Sequence, residues 1–348
     1  MHPIATALDE TTFRAQRRTI LLDYANYAEL IDDLAFALKT VTSASLLERS
    51  RKPECTPVNL MRSSGARAWE DVTGIHVQYS AGLSVELLRE FFPTAIEHWE
   101  EYARYHVAFH ESPESPYIVA HMTLGDDGYW DAIRMTSWAI LLGHTDLLGR
   151  LAAIWDYGDQ PLDGLLERLV APYVPGRAPL PNECTRHLPY FKLLKVFDAA
   201  PEDRPPMMAK YMTDWYHASR REPYHGGHQK GREYGFYGYW SFEAAAVTIV
   251  LDIDDASYRD HEFYPRDMAD FARSLANESC AGASSRGRDG ARFNVPAGQL
   301  CPETGWWFTP AKPDSRRYFK QGEAMPDVGG DYGQTFWQWS PDQSAPKL

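Results

Sequence analysis

Three histidines, His217, His225 and His228, fall within twelve residues, with His261, Asp254 and Asp255 further along the chain. Imidazole and carboxylate are the donors a zinc site requires, so a metal-dependent hydrolase is one chemistry these residue types allow. Their spacing, however, matches no compact helical or finger motif. Surface or hydrogen-bonding histidines are the simpler reading, and no cofactor is expected. The carboxylates Asp126/Asp127 and Asp252/Asp254/Asp255 lie beside aromatic residues. Acid–base catalysis would need two of them facing each other across a substrate, whereas capping of a helix start explains such acids fully. Glu243 stands inside an apolar run, and burying it requires a partner; an internal pairing to Arg, Tyr or Trp is expected there rather than catalysis. The chain carries no Gly-x-Ser-x-Gly elbow, no GxxxxGK[ST] loop and no GxGxxG opening a helix after a strand. Its four cysteines, Cys55, Cys184, Cys280 and Cys301, are too dispersed for a zinc spacing or a disulfide framework. Binding, not catalysis, is the expected mode of action.

The elements around these residues read as mostly helical. From Thr12 to about Arg49, Ile20, Tyr24, Tyr27, Ile31, Leu34 and Leu38 recur at helical steps until Pro53 and Pro57 interrupt. A second helix is expected from about Ser84, broken or restarted at Pro93. A third follows Asp126–Trp130 and stops near Gly143, with short helices over 146–157 and 161–171. The proline-rich stretch from Pro172 to Asn182 is the natural boundary between two helical halves. Beyond it, helices are expected over 190–199, 206–220 and 240–251, and from Pro265 to about Ala276. Gly128-Tyr129-Trp130 and Gly238-Tyr239-Trp240 begin two of these helices, a weak internal echo.

Composition changes at AGASSRGRDG, which reads as a polar linker. Four strand-length pieces follow, at Arg292–Val295, Gly305–Thr309, Arg317–Phe319 and Thr335–Trp339, separated by turn residues. The expected architecture is therefore mostly α, a two-part helical body with a small C-terminal β-rich extension. Its divisions are an N-terminal helical domain at 10–175, a C-terminal helical domain at 183–280 and the extension at 291–340. So short a β unit is expected to pack against the body.

Charge narrows the partner. The chain has 48 acidic and 35 basic residues, net −13, and the last 68 residues are nearly neutral. Such a field disfavours contact with a phosphate backbone and speeds encounter with a basic partner. The first residues carry no basic segment followed by an apolar run, and the longest apolar run, Ala244–Leu251, is too short to span a bilayer. A reducing cytoplasm, no membrane and no direct nucleic-acid contact are expected.

The run YGYWSFEAAAVTIVLDIDDASYRDHEFYPRDMADFAR at Tyr237–Arg273 resembles the C-terminal signature of the PoNi family, bacterial immunity proteins that neutralise PoNe-type DNase toxins delivered to competitors. The resemblance rests on Gly238-Tyr239-Trp240, Phe242 to Ala246, Ile253-Asp254-Asp255, Tyr264-Pro265 and Asp267. It implies a helical, non-enzymatic protein that binds a toxin, covering about 10–280. The tail departs from a minimal member. Cys301 to Gly305, Trp307, Gly322, Met325-Pro326 and Trp337-Gln338-Trp339 resemble a module of larger immunity proteins in polymorphic and type VI toxin systems. That departure leaves the toxin class open, with a basic nuclease the expected target. The contact residues expected from density of charge beside large side chains are Asp126, Asp127, Asp254, Asp255, Tyr258, Asp260 and Glu262.

Overall fold

A computed structural model describes residues 2–113, 120–125, 128–158, 160–177, 180–230, 235–286, 294–309, 312, 315–328 and 335–340. Residues 1–273 and 274–348 form two compact units.

The first unit is helical. Its first three helices are α1 (Glu10–Gln16), α2 (Tyr24–Thr40) and α3 (Ser43–Ser50). The single periodic stretch expected from Thr12 to Arg49 is thus divided. Asp9, Asp23 and Thr42 each cap a helix by accepting from backbone N–H groups, and those caps set the starts. The next helix, α4 (Pro57–Ala81), has no counterpart in the sequence expectations. Pro57 occupies its first turn and Gly82 ends it in the left-handed conformation. Its buried positions include Ser64, Arg67, Asp71, His76, Gln78 and Ser80, so the apolar periodicity that marks a core helix is missing.

Helix α5 (Val85–His110) runs through Pro93 without a break. Proline lacks the N–H that would bond to the Arg89 carbonyl. That carbonyl instead accepts from Nε2 of His144 at 2.9 Å, and the His144 ring stacks on Phe92. The body continues with α6 (Gly128–Leu141), α7 (Leu148–Trp155), α8 (Gly164–Val170), α9 (Phe191–Asp198), α10 (Arg204–Ala218) and α11 (Phe242–Val250). The two helices of the internal echo, α6 and α11, pack against each other. The last helix, α12 (Arg266–Arg286), outruns its expected end and takes in the start of the expected linker.

One hydrophobic core extends from Ile4 to Ala272 and includes residues on both sides of the proline-rich stretch at 172–182. Trp99, Trp138, Trp155 and Trp215 are fully buried in it. Among the described residues, no helix is long and apolar enough to cross a membrane.

The second unit contains the expected β module. Strands β1 (Asn294–Pro296), β2 (Gly305–Phe308), β3 (Arg317–Phe319) and β4 (Phe336–Trp339) form an antiparallel sheet in the order β1-β4-β2-β3. Val295 pairs with Trp337, Trp307 with Trp339 and Gly305 with Phe319, which directs alternate residues to one face. Its core is Val295, Cys301, Trp307, Phe319, Met325 and Trp337. Indole N–H groups of Trp307 and Trp337 donate to the carbonyls of Glu303 and Pro326 at 3.1 and 2.8 Å.

Candidate functional site

The signature residues of the last third lie mainly inside the fold. Gly238 has φ 119°, and a Cβ there would come within 2.2 Å of Ser80 Oγ on α4. Ser80 donates to the Tyr237 carbonyl and accepts from the Trp240 indole N–H at 2.8 Å. The Gly-Tyr-Trp run therefore joins the approach to α11 to the end of α4. Glu243 is buried, and its Oε1 accepts from Tyr211, Trp215 and Ser241 at 2.9, 2.7 and 2.7 Å. Burial raises its pKa and these donors oppose the shift. The internal pairing to Tyr and Trp expected for this carboxylate is present.

The seven candidate contact residues separate by exposure. Asp126 and Asp127 lie outside the described residues. Asp255, 3% exposed, accepts from Arg259, Tyr264 and Arg273 at 3.1, 3.1 and 2.8 Å. Tyr258 is buried with its hydroxyl 2.9 Å from Thr248 Oγ1. Expected as contact residues, both are buried in this chain and tie the 253–264 segment to α11 and α12. Asp254 is exposed and accepts from the Ala256 N–H, the turn role its position suggests. Asp260 and Glu262 are exposed together on the rim of a surface cavity of about 240 Å³ floored by Tyr79, Trp240 and Tyr264. Arg266 pairs with Asp260 at 2.9 Å, and Arg18 with Asp267 at 2.7 Å. Charge in this cavity is largely compensated.

His217, His225 and His228 engage separate neighbours. His225 stacks on Tyr216, His228 Nδ1 lies 2.7 Å from the Tyr239 hydroxyl, and His217 lies 3.4 Å from Arg220. Among the described residues, no group of three His, Cys, Asp or Glu side chains is arranged to hold a metal ion. A different histidine cluster went unseen in the sequence. His106 contacts His121 through Nδ1 at 2.7 Å and His110 through Nε2 at 3.0 Å. Burial, with the neighbouring imidazoles, pushes His106 and His121 down to about 4, so both are neutral near pH 7. The residues sit four apart on α5 and eleven beyond it, and only the first interval has helical spacing.

Helix α4 carries buried charge of its own, at Arg67 and Asp71. Arg67 bonds to Glu101 at 2.5 Å and to the Val41 carbonyl at 2.7 Å. Asp71 contacts His98 at 2.6 Å, and Arg134 reaches both His76 and Asp131. These pairs tie α4 to α5, α6 and the α2–α3 turn. On its outer side Glu70 is held up at about 7 by partial burial and by the nearby carboxylates of Asp33 and Asp71.

The class defined by this architecture is a mostly α-helical body followed by a small antiparallel β unit. Residues 162–268 match the family model described as PoNe immunity proteins (PoNi), C-terminal, a stretch that contains most of the signature on which the resemblance rests. The crystal structure of protein PA2201 from Pseudomonas aeruginosa is similar in fold, with TM-score 0.62 and 19% identity, over 79% of this chain and 94% of that one. No curated protein matches the sequence.

Proposed function

We propose that this chain is an immunity protein that neutralises a cognate bacterial toxin by direct, tight binding, and that the toxin is a basic nuclease of the PoNe DNase type. The match of residues 162–268 to the PoNi family carries this reading. Charge supports it: a nuclease needs a basic surface for its phosphate substrate, and a chain of net −13 can compete for that surface. Inhibition requires only occlusion of that surface. A non-enzymatic role in the producing cell's cytoplasm follows from the same reading. Asp260 and Glu262, exposed on one rim, are candidate steering charges for the encounter.

Co-expression with the product of the neighbouring gene is the test. An equimolar complex in which DNA cleavage is lost is the expected result. A neighbour that binds but attacks lipid, peptidoglycan or a nucleotide cofactor would retain immunity and remove the nuclease. A neighbour that does not bind and stays toxic would remove immunity altogether.

A further inference from the structure

Helix α4 is enclosed along most of its circumference, yet one strip of it faces solvent. Arg62, Ala66 and Trp69 are exposed on that strip, and Glu70 and Thr73 are half-buried. Trp69 is 44% exposed, and the way it is held is unusual for an exposed indole. Its ring meets Trp99 edge-on at 5.8 Å and Tyr102 at 5.5 Å, and its N–H donates to Asp131 Oδ2 at 3.1 Å. Gly65 makes the seat: a Cβ there would fall 2.9 Å from the indole. An aromatic ring fixed from below and open above has lost its rotamer freedom before any partner arrives.

Helix α2 forms one border of the strip. It runs antiparallel to α4, since Tyr27 bonds to Gln78, Leu34 lies against Gly74, and the Val41 carbonyl accepts from Arg67. Phe36, 69% exposed, therefore stands near the level of Val72, within one turn of Trp69 and Glu70. Glu29, Asp32 and Asp33 are exposed on the same side of α2, at helical spacing from Phe36. Among the described residues, none of Glu29, Asp32, Asp33 and Glu70 forms an ion pair, whereas Asp260, Asp267 and Asp270 each have an arginine. The cations Lys39 and Arg62 lie toward one end of the surface.

We propose that the open strip of α4 and the adjoining side of α2 form the docking surface for a basic protein, with Trp69 and Phe36 as anchors and Glu29, Asp32, Asp33 and Glu70 receiving its arginine and lysine side chains. Aromatic anchors bordered by carboxylates that lack internal cations suit such a partner in charge and side-chain type. This deepens the immunity reading, and rests on it, by naming the face that meets the toxin.

Two probes test it. Asp33→Lys with Phe36→Asp alters only exposed side chains, so folding is retained, and circular dichroism checks this. Binding to the co-expressed toxin domain should weaken at least about tenfold, with Asp260→Lys/Glu262→Lys mainly slowing association. An arginine-rich peptide, followed by amide hydrogen exchange on the full chain, should protect segments 29–36 and 66–73, and the Asp33→Lys/Phe36→Asp variant should lose that protection. Unchanged toxin binding by the folded variant overturns the proposal and leaves immunity standing. If wild-type chain fails to bind the toxin, the immunity reading fails, and the peptide footprint alone decides whether this face is a cationic docking surface. Protection elsewhere, or none, overturns it. Self-association abolished by the same substitutions would assign the face to a second copy and overturn it too.

Discussion

Glu243 illustrates what a single residue can disclose in a sequence and what it cannot. A carboxylate in the apolar run Phe242–Val250 had to find donors, and its partners are Tyr211, Trp215 and Ser241. The need was legible; two of the three partners lie on α10, which only the fold brings near. Replacing Glu243 with Ala would strand several buried donors, and we expect a loss on the order of 3–5 kcal/mol in urea unfolding. Glu243→Gln retains the accepting oxygen and should cost less than half as much. The raised pKa sets the pH dependence. A carboxyl whose folded pKa lies above its unfolded value contributes most below the unfolded value, and that contribution is lost as pH rises through the folded one. The Gln variant should therefore compare more favourably with wild type as pH rises. Equal losses for Ala and Gln would mean that the hydrogen bonds are not what Glu243 supplies. Asp255 and Tyr258 show the limit of sequence at this scale. Charge beside aromatic bulk suggested a contact surface, but the same composition builds a buried hydrogen-bonded joint.

At the scale of elements, α6, α8, α9, α10 and α11 were legible within a few residues because their apolar periodicity and proline punctuation agree. Helix α4 was not. Its buried side faces ion pairs and close helix contacts, so Arg67, Asp71, His76 and Gln78 occupy positions where a pattern reader expects leucine. The candidate docking strip was hidden with it, since Trp69 and Glu70 belong to a helix the periodicity did not reveal. Pro93 misled in the opposite direction, because the acceptor it frees is satisfied by His144 from a distant turn. This arrangement predicts a coupled pair. His144→Ala should cost about 1 kcal/mol by leaving the Arg89 carbonyl without its donor. Pro93→Ala restores an N–H to the helix and should recover most of that loss in the double variant. A double-mutant cycle in denaturant measures the coupling, and strictly additive effects would show that His144 does not serve the interrupted helix.

At the scale of the molecule, the two units differ in how they are held together. The first has a core running from Ile4 to Ala272, with buried tryptophans throughout; the second has a small cluster around Trp307 and Trp337. The four strands among the described residues of the second unit were legible because alternating aromatics and turn residues are local signals, whereas the continuity of the first core across 172–182 depends on contacts that no local pattern encodes. The division of cores makes a prediction about the tail. A chain ending after Arg286 keeps every residue of the larger core and all of α12. Its helical unit should unfold with a stability within about 1 kcal/mol of that unit in the full chain, because the truncation removes no residue of the larger core. The denaturant slope of the full chain should exceed that of the shortened one by the area the β unit exposes on unfolding. Tryptophan fluorescence and far-ultraviolet circular dichroism measured together decide the matter. Coincident curves for the shortened chain at the midpoint of the full chain's helical transition would establish the body as independent. A large drop in that midpoint would show that the β unit stabilises the body, and the toxin-binding face would then have to be mapped with the tail in place.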